Sequence, residues 1–187
     1  MSNVTLTTAR LIVRPATADD VPAIVAYFLD NQAFLEPWEP ARPEGFYTEQ
    51  FWSEQVARNR EHAETDRALR MFIFPSDAPG DIIGTVNLTE FVRGAFHACY
   101  LGYGLSAARE GQGYMREALR AAIPHAFGPL RLHRIMANYV PHNRRSGSVL
   151  KALGFQVEGY ARDYLRINGR WEDHVLTSLT NPDWKDD

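Results

Sequence analysis

A single cysteine, Cys99, occurs in 187 residues. It excludes an intramolecular disulfide and any zinc site built on several thiolates, and it fits a reducing compartment. No run of apolar residues is long enough to span a bilayer. The first residues, Met1-Ser2-Asn3-Val4-Thr5-Leu6, carry neither a basic segment nor an apolar one, so no signal peptide is expected. Neither sign of charge dominates, with 20 Lys and Arg against 23 Asp and Glu. The net charge is -3, which argues against general nucleic-acid binding; a local basic patch stays open, and no direct nucleic-acid reading is expected. There is no internal repeat, low-complexity segment or visible linker. Hydrophobic residues make up 45% and charged residues 23%, ordinary globular proportions. At this length one domain over residues 1–187 with a sizeable core is expected, in the cytoplasm.

The stretch that carries chemistry is Ala108-Arg109-Glu110-Gly111-Gln112-Gly113-Tyr114-Met115-Arg116. It follows a strand-like run, 98–105, and opens a helical run from Arg116 to about Phe127. A glycine-bearing loop between a strand and a helix presents free N–H groups at the positive end of the helix dipole, where phosphate binds. Two phosphate readings fail. A P-loop needs Lys-Ser or Lys-Thr after its second glycine, and here Tyr114-Met115 follow Gly113. A dinucleotide site needs three glycines early in a βαβ unit, and only Gly111-x-Gly113 is present.

The order of elements narrows the choice. Leu11-Ile12-Val13-Arg14 reads as a first strand, stopped by Pro15. Asp19 or Asp20 can cap a helix over 21–29. Residues 31–45, rich in Pro, Trp and Glu, read as an ordered loop, and Thr48-Glu49 begin a second helix to about Thr65. Leu69 to Phe74, Ile82 to Val92 and Ala95 to Leu105 form an antiparallel meander. After the glycine loop comes a helix with Met115, Leu119, Ala122, Ile123, Ala126 and Phe127 on one side. Pro124 inside it predicts a bend, or an end one turn early. His133 to Tyr139 reads as a strand. Asn143 caps a helix that Gly154 ends. Two last strands, 155–167 and 171–179, meet at Asn168-Gly169, a two-residue hairpin signal. The fold class is α/β, with a mixed, mostly antiparallel central sheet of about seven strands flanked by about four helices.

This order, with Gly111-Gln112-Gly113 after the fourth strand and Asn143-x-x-Ser146 before Gly154-Phe155, resembles the GNAT acetyltransferase superfamily. Within it the chain is similar to the ribosomal-protein-alanine N-acetyltransferases. The likeness is closest over 134–147 (Arg134-Ile135-Met136-Ala137-Asn138-Tyr139, then Pro141-His142-Asn143-Arg144-Arg145-Ser146-Gly147), Asp163-Tyr164-Leu165 and Asp173-His174-Val175-Leu176-Thr177. It is looser over 11–15 and 82–84. One departure is Ala108, where the superfamily usually has Gln or Arg. Since the loop works through backbone N–H groups, binding is expected to survive the change.

The resemblance implies acetyl-CoA as acetyl donor, without a metal. Its pyrophosphate would lie on the N–H groups of Gly111, Gln112, Gly113, Tyr114 and Met115, with Arg109 and Arg116 adding charge. Its pantetheine would lie along Leu101, Tyr103 and Leu105, in a gap between the fourth and fifth strands. Asn143 would bind the pantetheine amide and Ser146 would protonate the departing thiolate, although an Asn143 cap with Ser146 in the first turn already suffices to start a helix. An α-amine has a pKa near ~7.7–8.0 and a lysine near ~10.4, so an N-terminal acceptor needs only a mild base. Glu90 is the candidate base, with Glu158 and Asp163 as rivals and His142 as a further titratable neighbour. Cys99 reads as a buried small hydrophobe. Phe34, Trp38, Phe46, Tyr47 and Trp52 could form the acceptor groove or pack a core. Arg144-Arg145 could meet CoA phosphates or an acidic partner, and 183–187 read as a frayed tail.

The expected reaction is direct transfer, in a ternary complex, to a protein N-terminus. The implied acceptor is a small-subunit ribosomal protein beginning with Ala or Ser, with ribosome association possible and the enzyme a monomer or homodimer. Two alternatives remain open: an acyl-CoA-binding factor of translation or ribosome assembly that acts by contact, and an enzyme acetylating a small-molecule amine.

Overall fold

A computed structural model of the chain describes residues 4–185. Residues 1–3 and 186–187, which include the first part of the expected leaderless N-terminus and the end of the expected tail, lie outside it. The strands are β1 (Leu6–Thr7), β2 (Leu11–Arg14), β3 (Leu69–Pro75), β4 (Gly84–Val92), β5 (Ala98–Leu105), β6 (Arg134–Met136), β7 (Gln156–Ile167) and β8 (Arg170–Thr180). The helices are α1 (Val21–Asp30), α2 (Gln32–Leu35), α3 (Glu49–Glu64), α4 (Tyr114–Phe127) and α5 (Arg144–Ala152). The eight strands form one sheet in the order β1-β2-β3-β4-β5-β6-β8-β7. All neighbours are antiparallel except β5 and β6. The class is therefore the expected α/β, with one strand and one helix more than expected.

The sheet separates two cores, and β3 shows why. Its Met71 and Ile73 face a core with Leu119, Ala122 and Ala126 of α4 and Leu150 of α5. Its Phe72 and Phe74 face a core with Ile24, Tyr27 and Phe28 of α1 and Trp52 and Val56 of α3. A strand covered on both faces is apolar at nearly every position, as Leu69 to Phe74 is. Trp52 stacks on Phe28, centroids 4.9 Å apart and planes 10° apart. Phe46 and Trp52 are buried in this core, so two of the five aromatics considered for an acceptor groove are structural.

Several local expectations are corrected. The 31–45 segment is not a loop throughout. It contains α2 and a 3-10 turn over Glu36–Trp38. Pro124 does not shorten α4, which runs to Phe127, with the Gly128 N–H on Pro124 O at 2.9 Å. The strand expected over 133–139 is only β6. Beyond it the Ala137 N–H goes to Thr177 O (3.0 Å) and Tyr139 makes an isolated bridge to Val175. Asp20 precedes α1, but its carboxylate binds Arg14 (2.7 and 2.9 Å) and Thr17 instead of capping the helix. Trp184 is not frayed. Its indole N–H donates to Arg131 O (3.2 Å), and its ring lies 4.8 Å from that of His97. Thr48 caps α3, and Asn168 (φ 42) with Gly169 (φ 82) makes the β7–β8 turn, both as the sequence predicts. Among the described residues, no helix is long and apolar enough to cross a membrane.

Candidate active site

The site starts where the sheet opens. β5 pairs with β6 only at Ala98, Cys99 and Tyr100. Beyond Tyr100, β6 ends and its chain turns to β8, so the β5 edge over 101–105 has no strand partner on that side. Side chains alternate along it. Cys99, Leu101, Tyr103 and Leu105 face the α4–α5 core, so Leu101, Tyr103 and Leu105 offer the gap their backbone edge. Tyr100, Gly102 and Gly104 face the α1–α2 side.

The strand leads into a 3-10 turn at Ala107–Arg109 and then into the glycine loop. Gly111 (φ 71) and Gly113 (φ 81) are left-handed, and Gly113 is the N-cap of α4. The Glu117 N–H donates to Gly113 O (3.0 Å). The N–H groups of Tyr114, Met115 and Arg116 therefore point out of the helix end, as the geometry of any first turn requires. The loop is held from behind by Arg10. Its guanidinium donates to Gln112 O (3.2 Å) and to Glu117 Oε2 (2.7 Å) and lies 4.2 Å from the Tyr114 ring centre. Thr8 Oγ1 also donates to Glu117 (2.7 Å). Partial desolvation pushes the Glu117 carboxyl up, but the bonds from Thr8 and Arg10 outweigh it and hold the group below its ordinary value. Because a peptide's C=O and N–H point in opposite directions, drawing Gln112 O toward Arg10 turns the Gly113 N–H away from it. Beside the loop lies an open cavity of about 490 Å³ lined by Arg10, Gln112, Gly113, Arg116, Glu117 and Arg120. Arg109 sits near Tyr114, 6.0 Å from its ring centre.

Across the gap is the start of α5. The Asn143 side chain accepts from the Ser146 N–H (3.1 Å), so the capping role is real and occupies its oxygen. Ser146 Oγ is 2.8 Å from the Tyr103 hydroxyl, which also donates to Ser146 O (3.2 Å). Burial pushes the Tyr103 phenol up to about 12, against the lowering effect of the Ser146 bond, so it stays protonated at neutral pH. Arg145 pairs with Glu110 (2.6 Å), tying α5 to the loop. Cys99 is fully buried, and burial raises its thiol to about 12.

The carboxylates divide clearly. Glu90 is exposed at φ 54, in the bulge where the β4–β5 register shifts between Thr89 and Val92. Tyr100, opposite the neighbouring Thr89, has its phenol raised to about 12 by its bond to Tyr164, by burial, and by the charges of Tyr164 and Glu90. Asn138 in turn donates to the Tyr164 hydroxyl (2.9 Å). Glu158 is engaged elsewhere. It pairs with Arg134 and accepts from Ser178 (2.8 Å), and the Arg134 bond lowers its pKa first of all. Asp163 is at φ 47 in the β7 bulge, its N–H on Asp173. His142 packs against Trp38, centroids 5.3 Å apart.

Residues 10–156 match the family described as the acetyltransferase (GNAT) domain. The chain belongs to the GNAT acetyltransferase family. It is 47% identical over 181 residues to the ribosomal protein uS5-alanine N-acetyltransferase of Escherichia coli K12, covering 97% of this chain and 93% of that one. Among solved structures it resembles the ribosomal-protein-S5-alanine acetyltransferase of Vibrio fischeri, with TM-score 0.93, 40% identity, and 98% and 100% of the two chains covered. It also resembles Mycobacterium smegmatis RimJ in complex with CoA-disulfide, with TM-score 0.88, 29% identity, and 96% and 88% covered. The glycine loop lies between β5 and α4, and the β5 edge is without a strand partner beyond Tyr100 on the β6 side. Two parts were not singled out from sequence: the Arg10–Glu117 clamp, and the Tyr100–Tyr164 pair. Arg10 lies one residue before a strand and over a hundred positions from its partner, and no local pattern marks such a contact.

Proposed function

We propose that this chain transfers the acetyl group of acetyl-CoA to the N-terminal α-amine of a protein. The acceptor is a small-subunit ribosomal protein beginning with Ala or Ser, so the place of action is the cytoplasm, and residues 1–187 act as one domain. The reading rests on one continuous path: the unpaired β5 edge runs from the glycine-loop nest to the Ser146–Tyr103 pair. The acceptor class rests on the 47% identity to the uS5-alanine enzyme.

The residues fit the cofactor. The left-handed glycines and the first-turn N–H groups suit a pyrophosphate, with Arg109 and Arg116 adding positive charge. Acetyl-CoA would supply an activated acyl group as a thioester. Leu101, Tyr103 and Leu105 offer backbone groups along the gap, and the Asn143 amide keeps its NH2 free of the cap. Ser146 Oγ and the Tyr103 hydroxyl hold a proton between them for the departing thiolate. Glu90 takes a proton from the incoming amine, directly or through the Tyr100–Tyr164 pair. An α-amine is already partly neutral at pH 7, so a mild base is enough.

The test is incubation with acetyl-CoA and peptides beginning with Ala or Ser, alongside amino sugars and other small amines. Free thiol should appear with the peptides, and mass spectrometry should place the acetyl on the α-amine. Thiol release only with small amines would replace the acceptor assignment. No release with any amine would overturn the enzyme reading.

A further inference from the structure

Two glycines stand on one face of β5 where the sheet opens. Gly102 is exposed in the middle of a strand lying well inside the sheet. A Cβ built there would meet nothing within 4 Å, and its backbone is not left-handed. Neither a turn nor close packing therefore calls for glycine. In a strand interior glycine costs stability, and it often marks a close approach by a ligand or another backbone. Gly104, two residues on, faces the same side. A Cβ there would lie 3.6 Å from the Tyr27 hydroxyl and 3.7 Å from Leu35 Cδ2.

Tyr27 supplies the independent observation. The residue is 3% exposed, and its hydroxyl has no hydrogen-bond partner among the described residues. Burying such a group without a partner is costly. Its position is fixed by the helix end. Asn31 donates to Tyr27 O (2.8 Å) and accepts from the Ala107 N–H (3.0 Å), which ties α1 to the exit of β5. The hydroxyl is thus held beside the glycine floor, on the side opposite Ser146. Asn87 lies across from Gly102 in the β4–β5 register, and Tyr100 borders the floor at its other end.

We propose that Gly102 is the floor of the acceptor pocket, closed at one end where Tyr27, Leu35 and Thr85 cover Gly104, and that the missing side chain at Gly102 sets the size of the first acceptor residue. The ligand is an extended chain end with a small first side chain. The Tyr27 hydroxyl donates to a backbone carbonyl of that chain end. This rests on the N-terminal acetyltransferase reading and deepens it. The cofactor side of β5 carries Leu101, Tyr103 and Leu105, while the acceptor side carries no side chain at two successive positions. An amine can therefore come within bonding distance of the gap from that side.

The test uses Gly102→Ala, Gly102→Val and Tyr27→Phe in the full chain. Calorimetry with CoA should give dissociation constants within about twofold of the parent, and melting temperatures should be unchanged or higher, since Val suits a strand better than Gly. Binding of an Ala-initiated peptide to the CoA-loaded protein should weaken by about 10-fold or more in Gly102→Val, because that is what an unwanted methyl or two does in a fitted pocket. The loss should be smaller in Gly102→Ala and smaller for a Gly-initiated peptide. It should fall on the KM for peptide and leave the KM for acetyl-CoA alone. Tyr27→Phe should weaken peptide binding by roughly 3- to 10-fold. Wild-type peptide affinity in Gly102→Val, with CoA affinity intact, would overturn the floor; indifference to Tyr27→Phe would overturn the hydroxyl's place in it. If the parent protein binds no peptide but acetylates small amines, it is the acceptor reading that fails.

Discussion

At the scale of single residues, the sharpest contrast is between Ser146 and Cys99. Both are small and able to exchange a proton, but they lie in different environments. Cys99 is fully enclosed and its thiol is raised to about 12, so it cannot serve as a thiolate carrier at neutral pH. Ser146 lies at the helix start, 2.8 Å from a phenol that stays protonated. Ser146→Ala should lower kcat by about 100-fold, within the range for loss of a positioned acid, with little change in the KM for acetyl-CoA. The pH profile follows from the same groups. The acceptor amine must be neutral to attack, so kcat/KM for a peptide should rise with pH and level off above its pKa of ~7.7–8.0. Tyr103 has its pKa raised, so its proton is present below about 12 and is lost only as the pH rises through that value. No alkaline fall from Tyr103 is therefore expected between pH 8 and 10. Steady-state rates across that window check it, and a steep fall near pH 9 would mean that another group acts as the acid.

At the scale of elements, the glycine loop was legible because its chemistry is local. Gly111 and Gly113 are neighbours in sequence, and left-handed backbone there is a property of the residues themselves. The Asn168-Gly169 turn and the Thr48 cap were legible for the same reason. What failed was set by distant partners. The apolar run 133–139 predicts one strand, but its edge is divided among β5, β8 and the gap. Pro124 predicts a bend or an end one turn early, and the early end does not occur, because the Ala122 and Ala126 packing carries α4 on to Phe127 and one lost bond is outweighed by a buried face. Gly113→Asp tests the loop. A residue with a Cβ there must adopt φ 81, and that Cβ would point toward the Arg10 guanidinium, 3.7 Å away, so an Asp carboxylate would draw Arg10 off Gln112 O and Glu117 and disturb the loop from behind. Calorimetry should show acetyl-CoA binding abolished. The fold should persist, because the α4 core does not pass through the Gly113 side chain. Saturating CoA at about 100 times its Kd should raise parent stability by about 2.7 kcal/mol. That corresponds to roughly 5–10 °C in Tm for a chain of this size, and the variant should show no such shift.

At the scale of the whole molecule, the sheet decides the order of events. It keeps its two cores apart, and β5 sends alternate residues to each. The groups suited to the cofactor — the glycine loop, Tyr103 and the α5 start — lie toward the α4–α5 side, while Glu90, Tyr100 and the glycine face lie toward the α1–α2 side. The 31–45 segment and the β7–β8 tip close over that second side, where the Asn168 N–H donates to Glu39 O (3.0 Å) and Trp38 meets His142. Two ligands can therefore approach one gap from opposite faces without sharing volume. Such a layout suits direct transfer with both bound, and it makes a covalent relay needless. Initial rates measured over a grid of acetyl-CoA and peptide concentrations should give intersecting double-reciprocal lines, and Cys99→Ala should keep the pattern and most of the rate. Parallel lines, or an acetylated protein isolated in the absence of peptide, would mean that the acetyl group rests on the chain between the two substrates. The opposed faces of β5 would then be a feature of packing alone.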